Sequence, residues 1–219
     1  MIRRGMLTKY ILALVATLLL GATASADLFY EDFESGLSAW VGQGGDPSAH
    51  HGQIVADPLN PSSGNNVLTF TQTNWGGDIF ATAAGFAVTP GQQYTISFKY
   101  LGDPSQGGTP GNLGGYAGIS AGFPSSNHIW YYGTSDVSSA EPKLIDDGQW
   151  HSYSYTFTAY AGMNPVHLMF EDFYLAGYGL NNVAGDVYFD DIRLVPVPGA
   201  VLLGLLGLSA AGVTLRRRV

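Results

Sequence analysis

The central 168 residues, 27–194, read as an all-β domain, a two-sheet sandwich of the jelly-roll kind. Three observations predict it. Several segments alternate apolar and polar residues with the two-residue period of a strand, and clusters of Gly, Pro, Asn and Asp separate them. No stretch of ten residues carries an amphipathic helical period.

The strands follow in order. Segments 28–33, 54–56, 67–71 and 79–86 are short apolar runs bounded by turn residues. In 94–100, Tyr94, Ile96, Phe98 and Tyr100 alternate with Thr95, Ser97 and Lys99, so one face enters a core and the other meets water. Segments 116–123 and 129–132 come next. Tyr153, Tyr155 and Phe157 then alternate with Ser152, Ser154 and Thr156, and Val166, Leu168 and Phe170 do so more weakly with His167 and Met169. Segment 187–194 closes the domain. The connection at 102–115, GDPSQGGTPGNLGG, has no apolar anchor and reads as a surface loop or a lid; 58–66 and 136–149 are further turn-rich connections.

A domain of this length buries about two thirds of its unfolded surface, which one core can sustain. All 17 Asp and Glu lie within it against Lys99, Lys143 and Arg193, a formal charge of −14 beneath the −8 of the whole chain. Such a surface repels phosphate backbones, which excludes nucleic acid as a partner, and attracts divalent cations. Cysteine is absent, so neither disulfides nor thiolate metal sites hold the fold.

Catalytic motifs are missing. There is no GxSxG nucleophile elbow and no HExxH; His50-His51 lacks a spaced third ligand. The neighbouring carboxyls Asp146-Asp147, Glu171-Asp172 and Asp190-Asp191 reveal no pair of the separation that glycoside hydrolysis needs. The chain reads as a non-enzyme.

Both ends read as targeting segments. Arg3, Arg4 and Lys9 precede the apolar stretch 11–20, and Ala24-Ser25-Ala26 supplies a signal-peptidase site, so 1–26 is read as a signal peptide. At the other end, Val195-Pro196-Val197-Pro198 precedes the charge-free run 199–215, and Arg216-Arg217-Arg218 follows it. The run spans roughly 25 Å as a helix, enough for one membrane crossing. The arginines hold their end in the cytoplasm and leave the domain outside.

Signal peptide, exported domain, proline motif, apolar helix and arginine cluster together resemble a PEP-CTERM protein, a bacterial surface protein handled by an exosortase. The match covers 195–218, with Val197 where the family name calls for Glu. The resemblance implies a Gram-negative bacterium, an inner-membrane anchor, exosortase as a processing partner beside signal peptidase, and release to the cell surface or matrix.

The domain carries a second resemblance. DFESGLSAW (32–40), TPGQQYTISFKY (89–100), DGQWHSYSYTFTA (147–159) and GDVYFDDIRL (185–194) are similar to jelly-roll, galactose-binding-like modules that bind xylan, cellulose and β-glucans. That family implies a polysaccharide partner and a structural calcium, carried over here to Glu34 and to Asp190 or Asp191. Calcium takes six to eight oxygen ligands, and adjacent Asp on a strand point to opposite faces unless a bulge intervenes.

Sugar rings stack on aromatic faces while polar groups bond their hydroxyls. Trp75 in QTNWGGD, and Trp130 with Tyr131 and Tyr132 in NHIWYYG, lie beside turn residues and read as exposed platforms. Asn74, Asp78, Asn127 and His128 are the polar groups beside them; Trp40 and Trp150 read as framework. The expectation is a surface or matrix protein that binds exopolysaccharide without catalysis. A passive envelope component with the same fold and a glycan-active enzyme are the alternatives.

Overall fold

The computed structural model describes residues 26–71, 78–106, 113–124, 126–134, 143–173 and 185–198, with only the backbone given at Asp78. Residues 27–195 form a compact unit. Eleven strands are present among the described residues: β1 (Phe29–Glu31), β2 (Trp40–Val41), β3 (Gly52–Ala56), β4 (Asn66–Phe70), β5 (Asp78–Thr82), β6 (Gln93–Gly102), β7 (Gly115–Ala121), β8 (His128–Gly133), β9 (His151–Thr158), β10 (Val166–Asp172) and β11 (Val187–Pro196).

They make two sheets. One runs β3-β4-β11-β6-β9 with β1 also on β11; the other runs β2-β5-β10-β7-β8. Inward faces meet in one core containing Phe70, Phe98, Tyr100, Ile119, Leu168, Phe170, Phe189 and Ile192. The alternation of 94–100 survives as predicted, with Tyr94, Ile96, Phe98 and Tyr100 buried and the residues between them half-buried. Phe98 lies 5.6 Å from Phe170 edge-on, so facing rings lock the sheets together.

Differences from the sequence reading have local causes. The strand expected over 79–86 ends at Thr82, and Phe86 makes only an isolated bridge to Val166. Strand β2 is two residues long, too short to show a period, and exists because Trp40 pairs with Thr82. Trp40 is buried and stacks on Phe80 at 4.4 Å. Its indole N–H donates to Glu31 Oε2 at 3.0 Å, while Glu31 Oε1 accepts the Phe33 N–H at 2.8 Å.

One irregularity positions the calcium candidates. Phe189 of β11 pairs with Leu68 of β4, but Ile192 onward pairs with β1. Asp190 and Asp191 sit where the partner changes, and Asp191 adopts a left-handed φ of 49°.

Residues 1–25 of the expected signal peptide and the expected transmembrane helix lie outside the described residues, as do Arg216, Arg217 and Arg218. No helix among the described residues is long and apolar enough to cross a membrane. Val195 and Pro196 belong to β11, and Val195 to Pro198 are half-buried.

Candidate functional site

The outer face of the five-stranded sheet is built by the same alternation that builds the core. In β7, Ala117, Ile119 and Ala121 enter the core, which turns Tyr116, Gly118 and Ser120 outward. In β10, Val166, Leu168 and Phe170 point inward and His167, Met169 and Glu171 outward. The register sets Glu171 beside Tyr116 and Met169 beside Gly118. Ile79 and Ala81 of β5 and Val41 of β2 continue the surface, and with Met169 these apolar residues form a second cluster with Trp130 of β8 packed on it.

Gly133 makes room for the Tyr116 ring, and Gly118 for the close approach of the β8 backbone. A Cβ on Gly133 would stand 2.3 Å from the Tyr116 ring, and one on Gly118 would stand 2.2 Å from the Ile129 carbonyl. Tyr116 and Trp130 then lie 5.7 Å apart, tilted by 53°, with the His128 ring 5.8 Å from Trp130 on its other side. Trp130 is half-buried and His128 exposed, whereas Tyr116 and Glu171 are buried. An aromatic platform, an apolar floor and a carboxylate thus share one sheet face, the combination that saccharide recognition uses.

The sequence-predicted residues divide. Trp130 and His128 come together on this face. Trp75 and Asn74 lie outside the described residues. Asp78 opens β5 opposite Asp172 of β10. Asn127 is a turn residue with φ 46° whose side chain donates to the Ala121 carbonyl at 3.1 Å.

Tyr131 and Tyr132 are not exposed platforms. The register shift opposite Ala117 and Gly118 inserts an extra residue into β8, so two consecutive side chains turn inward. Tyr131 stacks on Tyr155 at 4.1 Å, and burial pushes its phenol pKa well up. Tyr132 donates to the Ser154 carbonyl at 2.6 Å and packs edge-on against Phe98. Tyr116 and Glu171 are the residues that sequence reasoning did not place in this site. The small residues of GYAGISA, which leave room on both sides of one strand, were the available signal.

Glu34, Asp190 and Asp191 part company too. Both Glu34 oxygens accept from Asn66, from its backbone N–H and its side-chain Nδ2, each at 2.7 Å. Asp190 Oδ2 accepts from Asn65 Nδ2 at 3.4 Å, and burial raises its pKa. Asp191 turns away to Lys99 Nζ at 2.5 Å and to the Tyr30 hydroxyl at 2.9 Å. Burial pushes the Asp191 pKa up, but the hydrogen bonds from Lys99 and Tyr30 outweigh it and hold the carboxyl below its ordinary range. No group of three or more His, Cys, Asp or Glu is gathered among the described residues. Glu34 and Asp190 nonetheless each accept from the neighbouring residues Asn65 and Asn66, and their carboxylate oxygens are the donor type that calcium takes.

The sequence profile described as a carbohydrate-binding domain matches residues 25–172. No curated protein matches the chain. Among solved structures, the CBM22-2 xylan-binding domain from Paenibacillus barcinonensis is similar with a TM-score of 0.50 and 14% identity, covering 78% of this chain and 99% of that one. The CBM22-1 and GH10 modules of a Clostridium thermocellum endo-1,4-β-D-xylanase, complexed with xylohexaose, give 0.50 and 14% over 80% of this chain. This chain spans 29% of that longer protein. At these identities the likeness is one of fold. With the profile covering most of the sandwich, this chain belongs to the carbohydrate-binding domain family.

Proposed function

We propose that the sandwich binds a neutral polysaccharide without catalysis, on the outer face of its five-stranded sheet. The observation that carries this is the half-buried Trp130 beside Tyr116 above an apolar floor, with Glu171 on the same face. Trp130 supplies the stacking surface for a pyranose ring, Tyr116 backs it, and Glu171 and His128 bond sugar hydroxyls. A domain of formal charge −14 repels acidic glycans, which selects uncharged chains. Xylan, the ligand of the related domains, belongs to that class.

The ends supply the address. A signal peptide at 1–26, the motif Val195 to Pro198, the apolar run 199–215 and the arginine cluster support export, anchoring in an inner membrane and exosortase handling, with release to the surface or matrix. The polysaccharide is then the exopolysaccharide of the producing cell. Glu34 and Asp190, with Asn65 and Asn66, are the residues that hold a structural calcium. When bound it offsets the carboxylate charge where β11 changes partner.

Affinity electrophoresis of the full chain through gels containing xylan, mixed-linkage β-glucan or alginate tests the reading. Retardation in a neutral gel and none in alginate is expected. Free migration through every gel moves the protein to a passive structural role.

A further inference from the structure

We propose that the opposite face of the sandwich carries a second saccharide subsite, so that one domain joins two polysaccharide chains. The inference rests on the reading that the domain binds polysaccharide, but it uses none of the same residues.

Strands β3, β4 and β11 set three polar side chains in a row on the outer face of the six-stranded sheet. Gln53 pairs with Thr69, and the pairing of Phe189 with Leu68 brings Tyr188 beside Thr69. A cavity of about 420 Å³ opens over them, bordered also by Val55, Pro58 and Thr71. That volume lies in the range of small-molecule sites. Val55 and Tyr188 belong to an apolar cluster with Val67 and Leu101, which gives the cavity a rigid apolar wall.

The chemistry of the lining is that of a neutral sugar site. Among the described residues no charged side chain borders the cavity. The Thr69 hydroxyl donates to the Val187 carbonyl at 2.9 Å and the Thr71 hydroxyl to the His51 carbonyl at 3.1 Å, so both oxygens are fixed with acceptor capacity remaining. The Gln53 amide and the Tyr188 hydroxyl make no hydrogen bond among the described residues. A pyranose offers hydroxyls to such groups and C–H edges to Val55, Pro58 and the Tyr188 ring. The Trp130 face lies on the other sheet, so the two subsites point to opposite sides of the core. A two-sided domain gains avidity by engaging two chains of a matrix at once.

The test uses the purified full chain in a sugar-free detergent, with xylohexaose and cellohexaose as probes. Titration calorimetry is expected to give two sites per chain. Gln53→Ala combined with Tyr188→Phe removes one site and keeps the other; Trp130→Ala removes the complementary one. Unchanged melting temperatures show that the sandwich is intact in both. A single site that disappears with Trp130→Ala and ignores the pocket pair overturns the second subsite and leaves the Trp130 face standing. A single site lost only with the pocket pair overturns the two-chain arrangement and the Trp130 face together. No binding by the unmodified chain overturns the polysaccharide reading and the subsite with it.

Discussion

Glu34 accepts the backbone N–H and the side-chain amide of Asn66, each at 2.7 Å, and so ties the turn after β1 to the start of β4. Both strands pair with β11, and this pair spans the gap between them while Asn65 donates to Asp190 of β11. Glu34→Ala removes a charge-assisted acceptor at an exposed position. The expected loss is about 1 kcal/mol, a fall in melting temperature of about 3 °C. Thermal melts of the full chain check it, with Glu34→Gln retaining part of the stability.

The buried Glu31 matters more. Its carboxylate satisfies the Phe33 N–H and the Trp40 indole, both inside the fold. Glu31→Ala strands two buried donors and is expected to cost about 3 kcal/mol. Urea unfolding measures this, and a shift no larger than that of Glu34→Ala would contradict the assigned network.

Calcium binds at Glu34 and Asp190 on the present account. A cation relieves the charge of carboxylates held at the adjacent residues Asn65 and Asn66, so calcium added after chelation is expected to raise the melting temperature, and Asp190→Asn is expected to abolish that rise. A melting temperature indifferent to calcium removes the site.

Lys99 and Asp191 make the stability depend on pH in a defined way. The hydrogen bond to Asp191 raises the Lys99 pKa, while Asp191 itself is held below the ordinary carboxyl value of 3.8. A lowered carboxyl contributes stability above its unfolded value and loses it as pH falls through the folded value. A raised ammonium contributes below its unfolded value, 10.5, and loses it as pH rises through the folded one. The pair therefore stabilises on a plateau between the two unfolded values. Both side chains are about a third exposed or more, so the contribution is about 0.5 kcal/mol. Melting temperatures of wild type and Asp191→Asn, compared across pH, are expected to differ on the plateau and converge at both extremes.

Binding of a neutral glycan responds weakly to salt. Raising ionic strength to about 0.5 M shortens the Debye length to a few ångströms, yet stacking on Trp130 involves no net charge. The dissociation constant for xylohexaose is expected to change less than about twofold, read by calorimetry.

Strand content was legible wherever one face met water. The run 94–100 and Tyr153, Tyr155 and Phe157 alternate cleanly because their outer faces are solvated. Strands β7 and β10 were harder to read for function because every described residue in them is buried, on both faces, and the period that marks an outer face disappears. Tyr116 and Glu171 were missed for that reason. Tyr131 and Tyr132 were misplaced because an extra residue in β8 turns two neighbours the same way, which no two-residue period anticipates. The partition of Asp190 from Asp191 was anticipated in kind, since adjacent strand residues diverge. Which of them meets Asn65 was set by the change of partner along β11.

The central claim is that Trp130 is a saccharide platform. Tryptophan fluorescence of the full chain, titrated with xylohexaose, tests it most directly. A saturable spectral change is predicted for the unmodified chain. In the Gln53→Ala, Tyr188→Phe background, which leaves the Trp130 face as the one proposed site, adding Trp130→Ala is expected to abolish it, with affinity falling about tenfold or more while the melting temperature stays within a few degrees. Undiminished affinity in that triple variant, measured by calorimetry on a folded chain, would contradict a platform at Trp130.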